Sequence, residues 1–175
     1  MAVSSLDVTP SSPTANAYVT LAVADQYHED RPAAGATWAS ASPDQKNAAI
    51  LWATQLLDRL WCWAGQTTTA EQALQWPRSG VISANGWNNV DEFSVPVEIQ
   101  RATAEYARQL LAGDIAGNSD VETQGLKSLT AGPVSLVFKD NVSAKPVPDT
   151  VIYLIPHGWG YLIGRSSGYR PLLRA

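Results

Sequence analysis

The chain has 175 residues, 45% hydrophobic and 16% charged, with a formal net charge of −4. That length suits one domain with a core large enough to need no staples. The acidic balance argues against a broad nucleic-acid surface, which needs clustered Lys and Arg, and the single cysteine, Cys62, excludes an internal disulfide and a multi-cysteine zinc site. The N-terminus is polar with no apolar signal region, and no run of 18 apolar residues occurs, so folding in a cytoplasm with no membrane partner is expected. Charge is uneven along the chain. After Asp149 there is no acid, only Arg165, Arg170 and Arg174.

Residues 1–16 are rich in Ser, Thr and Pro and predict a flexible or extended arm. Thr20 can cap a first helix from about Leu21 to Arg31, stopped by Pro32 and Gly35, and Trp38 then plugs the core from a short connector. Ser42 to Trp63 is the strongest helix. Ser42, Pro43 and Gln45 form a capping box with proline at the first helical position. Ala49, Ala53, Leu56, Leu60 and Trp63 share one helical face, which Trp52 and Leu57 widen. A stripe that wide needs helical partners on more than one side.

Thr69 and Gln72 suggest a second capping box, for a short helix from Ala70 to Leu74. Trp76-Pro77-Arg78-Ser79-Gly80 reads as a turn, because Pro77 disfavours helix at Trp76 and Gly80 permits positive φ. Residues 81–95 hold an Asn-Gly pair and no periodicity, a long excursion of the kind that is usually functional or mobile. Pro96 opens a second long helix, Val97 to Ala112, ended by Gly113. A hairpin follows, with strands near Val121–Leu129 and Val134–Phe138 around an Ala-Gly-Pro turn, then a linker. Asp149 or Thr150 starts a last short helix, ended by Pro156 and Gly158.

The predicted fold is therefore mainly α: a small helical bundle of two long helices plus short ones, with a β-hairpin and an extended C-terminal tail. Its parts are an arm (1–16), a helical core (17–120), a hairpin and linker (121–149), and a short helix with a basic docking tail (150–175).

Chemistry is scarce. His28 and His157 stand far apart, and His28-Glu29-Asp30 lacks the spacing of metal sites. No nucleophile elbow, Walker A or dinucleotide fingerprint is present, so no catalytic, cofactor or metal residues are assigned and an enzyme is not expected. Seven tryptophans are the notable resource. Trp38, Trp52, Trp61, Trp63 and Trp76 lie at core-like positions, and Cys62 reads as a small buried residue. Trp87 in the long loop and Trp159 in the tail read as exposed interface candidates.

Four motifs occur in order: Y-V-T-L-x-x-A-D-x-Y from Tyr18, A-x-x-x-L-D ending at Asp58, Q-x-L-x-W-P-R-x-G ending at Gly80, and V-P-x-x-I-x-x-A around Pro96. Over residues 15–139 this resembles a tailed-bacteriophage family often labelled DnaT-like single-stranded-DNA-binding, similar to head–tail connector adaptors, or neck proteins. Trp76, Pro77, Arg78 and Gly80 are its most specific element. The resemblance implies a virion neck protein that forms a ring, generally twelve-fold, beneath the portal. Its partners would be the portal, neighbouring copies of itself and a tail-side neck or terminator protein, with packaged double-stranded DNA passing through unbound. In such adaptors the C-terminal segment reaches the portal, which here would engage Trp159, Tyr161, Leu162, Arg165, Tyr169, Arg170, Leu172, Leu173 and Arg174. The alternative is a single-stranded-DNA-binding protein associated with replication, against which the scarcity of lysine and the pI near 5.0 weigh.

Overall fold

A computed structural model describes residues 5–31, 35–113, 128–131, 134–137 and 146–163. Helix α1 spans Leu21–Glu29, and the Thr20 hydroxyl accepts from the Val23 N–H at its start. The connector expected around Trp38 is itself a short helix, α2 (Gly35–Ser40), and Trp38 is buried there with its indole N–H on the Asp25 carboxylate at 2.8 Å. Helix α3 spans Pro43–Leu60 and carries both halves of the Ser42–Gln45 capping box. Its buried residues are Ala49, Ile50, Ala53, Thr54, Leu56 and Leu57. Trp52, expected in the core, is instead 38% exposed. It lies about 100° around the helix from Ala53, and the buried face turns toward Ile50 and Leu57.

α3 stops at Leu60, earlier than expected. Trp61–Trp63 is a strand, β1, with Trp61 and Trp63 inward and Cys62 outward. Alternation of side chains along a strand puts Cys62 on the surface, so it is not the buried residue that helical spacing suggested. The partner strand is β6 (Gly160–Leu162), antiparallel, with Trp61 opposite Leu162 and Trp63 opposite Gly160. Two strands separated by about a hundred residues thus meet, which no local periodicity announces. Gly160 permits the approach: a Cβ there would lie 2.4 Å from the Cys62 carbonyl oxygen.

β2 (Gln66–Thr67) pairs with β3 (Arg78–Ser79). The helix expected at 70–74 does not form. The Thr69 N–H donates to the Gln72 side chain as a capping box would, but the Gln72 amide donates onward to the Leu74 and Pro77 carbonyls and so holds a loop. Helix α4 (Val97–Ala112) buries an unbroken run from Ala102 to Ala107 because α1, α2, α3 and the short α5 (Asp149–Ile152) all pack on it. The hairpin is present as β4 (Ser128–Ala131) and β5 (Val134–Val137), with Ala131 opposite Val134; residues 121–127 of the expected first strand lie outside the described residues.

The architecture is a correction to the predicted helical bundle. It is mixed α and β, with three two-stranded antiparallel pairs among the described residues. The core joins residues of α1, α2, α3, α4, β1 and β6 with Tyr18, Trp76, Val81, Val147 and Val151. Segment 5–17 closes over it rather than forming a free arm: the Asn16 and Ala17 N–H groups donate to the Asp7 carbonyl, and Ala15 and Ala17 are buried. Val151, Ile155, Trp159 and Leu162 belong to the same core.

An ion cluster secures α4. Glu105 is buried and takes Arg108 at 2.6 Å and Arg31 from beyond α1. Burial raises its carboxyl, but Arg108 and Arg31 outweigh that and hold it below the usual range. The deeply buried charge is Glu105, while Arg108 and Arg31 keep partial access to solvent. Glu105→Ala therefore strands no buried charge and is expected to lose about 1–3 kcal/mol in urea denaturation through its broken charged hydrogen bonds. Trp159→Ala is expected to lose about 3–5 kcal/mol, and Trp87→Ala less than about 0.5 kcal/mol. A Trp159→Ala loss as small as that of Trp87→Ala would contradict this placement of the C-terminal strand.

Candidate functional site

The most specific sequence element, Trp76 to Gly80, sits where four stretches of chain converge. The Trp76–Pro77 peptide bond is cis. Arg78 is buried, and its guanidinium is used entirely within the protein. Nε donates to the Ala64 carbonyl at 2.6 Å and Nη2 to the Gly65 carbonyl at 2.8 Å. Nη1 donates to the backbone and side-chain oxygens of Gln75, both at 3.0 Å. A planar fork of donors suits this task in a way that an ammonium does not. It fastens the turn after β1 to the turn before β3. Gly65, at φ +70°, is required there, since a Cβ would lie 2.3 Å from the Ser79 carbonyl oxygen.

A second set of bonds locks the same turn to α3. The Tyr18 hydroxyl donates to the Asp58 carboxylate and accepts from the Trp76 N–H at 3.2 Å. The other Asp58 oxygen accepts from the Gln75 N–H at 3.2 Å. Burial pushes the Asp58 carboxyl up to about 6, and burial together with Asp58 pushes the Tyr18 hydroxyl well up. Perturbed pairs of this kind mark active sites when a substrate can reach them. Here neither the cavity between α1 and α4 nor the one beside Cys62 and Tyr161 is lined by Tyr18 or Asp58. The arrangement is a clasp.

Beneath it lies an aromatic stack. Trp61 and Trp63 stack at 5.3 Å, Trp63 meets Trp76 edge-on at 5.6 Å, and Trp76 meets Trp159 at 5.2 Å. Trp159 is only 2% exposed and donates its indole N–H to the Ile82 carbonyl at 2.8 Å. The docking-tail assignment of Trp159 and Leu162 is therefore corrected. Both are core residues: β6 pairs with β1 and turns Leu162 inward, while Trp159, just before the strand, packs on Trp76 and bonds the Ile82 carbonyl. Tyr161 points outward, opposite Cys62 across the β1–β6 pair. Arg165, Tyr169, Arg170, Leu172, Leu173 and Arg174 lie outside the described residues. His28 is buried against Trp38, with its Nε2 bonded to the Ala104 carbonyl at 3.1 Å. Among the described residues no group of three or more His, Cys, Asp or Glu can hold a metal.

What the surface offers instead is apolar. Trp87 is 87% exposed and Phe93 72%, both on the 81–95 excursion, and Tyr153 and Tyr161 are also exposed. The described cations are mostly engaged: Arg31 and Arg108 on Glu105, Lys46 on Asp25, Arg78 in the clasp. Arg59 and Arg101 are exposed outside these pairs.

Tyr18 and Asp58 escaped the sequence reading although both stand in the quoted motifs. A tyrosine and an aspartate forty residues apart give no spacing signal for a shared bond. The alternation in Trp61-Cys62-Trp63, between Leu60 and Gly65, was the available sign of a strand.

The Asp58 shift has a pH consequence. Its folded pKa near 6 lies above the unfolded carboxylate value, so between them the native state holds a proton that the unfolded chain lacks. This group therefore adds stability as pH falls from 7 toward 4. Asp58→Asn is expected to be less stable throughout, and the wild-type advantage to widen on acidification, measured by urea denaturation at both pH values. Arg78→Lys is expected to lose about 2–3 kcal/mol, since it abandons several buried carbonyl oxygens while keeping the charge.

The family model described as "Putative DnaT-like ssDNA binding protein" matches residues 6–170. No curated protein and no solved structure matches the chain. The matched span includes the clasp, the aromatic stack, both long helices and the β1–β6 pair. The chain belongs to this DnaT-like family.

Proposed function

We propose that this chain is a non-enzymatic structural component of a tailed phage, a head-to-tail adaptor that sits in a ring beneath the portal and lets DNA pass without holding it. The neck role comes from the resemblance of the four motifs. The structural observation that supports a protein-binding over a DNA-gripping surface is the company kept by the exposed rings. Trp87 and Phe93 stand beside Asp91 and Glu92, and the described cations are largely consumed by internal pairs. Aromatic residues without surrounding cations suit protein interfaces, whereas phosphate binding draws on free Lys and Arg.

The family description speaks for a second reading, single-stranded DNA binding. Exposed Trp87, Phe93 and Tyr161 rings are surfaces on which bases can stack. The two readings separate in one titration. Tryptophan fluorescence of the full-length protein is followed as a thymidine oligonucleotide is added at low and physiological salt. The adaptor reading expects Kd weaker than about 100 μM at physiological salt, the weak edge of non-specific binding. Micromolar or tighter binding, steeply weakened by salt and with Trp87 quenched, would overturn it in favour of DNA binding.

A further inference from the structure

The 81–95 excursion is a built element rather than a slack loop. Val81 is buried at its base, and the Val90 N–H donates to the Val81 carbonyl at 2.8 Å. Ile82 and Asn89 form an antiparallel bridge, and the Ser83 N–H donates to the Asn88 carbonyl at 2.8 Å. At the tip the Asn85 side chain accepts from the Ser83 hydroxyl at 2.5 Å and the Trp87 N–H at 3.1 Å, with Gly86 at φ +77° making the turn. Asp91 accepts from the Phe93 N–H at 3.0 Å and the Ser94 hydroxyl at 2.5 Å. The Thr68 hydroxyl ties the Glu92 carbonyl to the body at 2.8 Å, and Trp159 does the same for Ile82.

This frame holds three large apolar side chains in solvent: Ile82 at 60%, Trp87 at 87% and Phe93 at 72% exposure. A segment that has already lost its conformational freedom binds at lower entropic cost. Its charge is one-sided. Residues 81–95 contain Asp91 and Glu92 and no cation. Another segment of this chain has the opposite character. Residues 164–175 carry Arg165, Arg170 and Arg174 with Tyr169, Leu172 and Leu173, and no acid. Guanidinium groups stack on indole faces and pair with carboxylates, and leucines cover exposed Ile and Phe.

The course of β6 bears on which copy supplies that segment. The chain enters β6 from Trp159, beside the root of the 81–95 hairpin, and leaves it at Ile163, whose N–H donates to the Leu60 carbonyl at 2.8 Å. Ile163 thus lies at the end of β6 farther from that hairpin, and the twelve residues after it can span up to about 40 Å.

We infer that residues 164–175 of one copy seat on the Ile82–Trp87–Phe93 hairpin of a second copy. The contact is head-to-tail, since the hairpin and the tail are different surfaces, and such contacts propagate into rings or filaments. This goes beyond the neck reading and does not depend on it.

The test uses two full-length variants, Trp87→Ala/Phe93→Ala and Arg165→Ala/Arg170→Ala/Arg174→Ala, in sedimentation velocity over a concentration series at low and high salt. Wild type is expected to associate, less so at high salt. Each variant alone is expected to be monomeric. Their equimolar mixture keeps one intact hairpin and one intact tail, and is expected to form dimers that grow no further. A wild type that stays monomeric, as it would if each tail served its own hairpin, overturns the inference. So does undiminished association of either variant, or a mixture that fails to dimerise. Unchanged urea midpoints of the hairpin variant confirm that folding is intact.

Discussion

Arg78 is a cation that has to be satisfied inside the protein, and much of the architecture follows from how that is done. Its guanidinium reaches Ala64, Gly65 and Gln75, so the turn leaving β1 and the turn entering β3 are held at fixed separation. Those turns place Trp63 against Trp76, and Trp76 against Trp159. Tyr18 and Asp58 complete the enclosure by taking the Trp76 and Gln75 N–H groups. A buried donor left without an acceptor costs about 1–3 kcal/mol, so each of these bonds constrains the others. The same clasp fixes the residues from which the 81–95 hairpin springs.

The C-terminal segment is where helical expectations and structure part most clearly. The family resemblance makes the segment from Trp159 onward a docking tail. In the fold the glycines on either side of Trp159 serve close approach: Gly158 turns the chain at φ +97° and Gly160 lets β6 lie against the β1 backbone. Trp159 becomes core because its ring fills the space beside Trp76.

Local rules read the helices well. The Ser42 cap, Pro43, the capping box and the extent of α4 followed from chemistry within one turn of each terminus. They failed where the decisive partner was distant. Trp61 to Trp63 continued a helical stripe on paper, but their strand partner is β6, and only that pairing turns Cys62 outward. Gln72 satisfied the capping pattern, yet its amide was needed by the Leu74 and Pro77 carbonyls. The clasp motif itself stood out in the sequence, while Tyr18 and Asp58, which complete it, were invisible because a side-chain bond across forty residues has no period. A bundle was expected from the two long helices, and the strand pairs that share their core make the fold mixed α and β.

The adaptor proposal places function on a surface. A hairpin with exposed rings and acids, and few free cations on the described body, fit a molecule that works by being held in place. The proposal makes this chain a virion component, so its most direct measurement is the copy number of the chain in purified, DNA-filled tailed-phage particles, by quantitative mass spectrometry against the portal protein. The account predicts about one copy per portal subunit. Absence from such particles, with the protein abundant in infected cells, would contradict it.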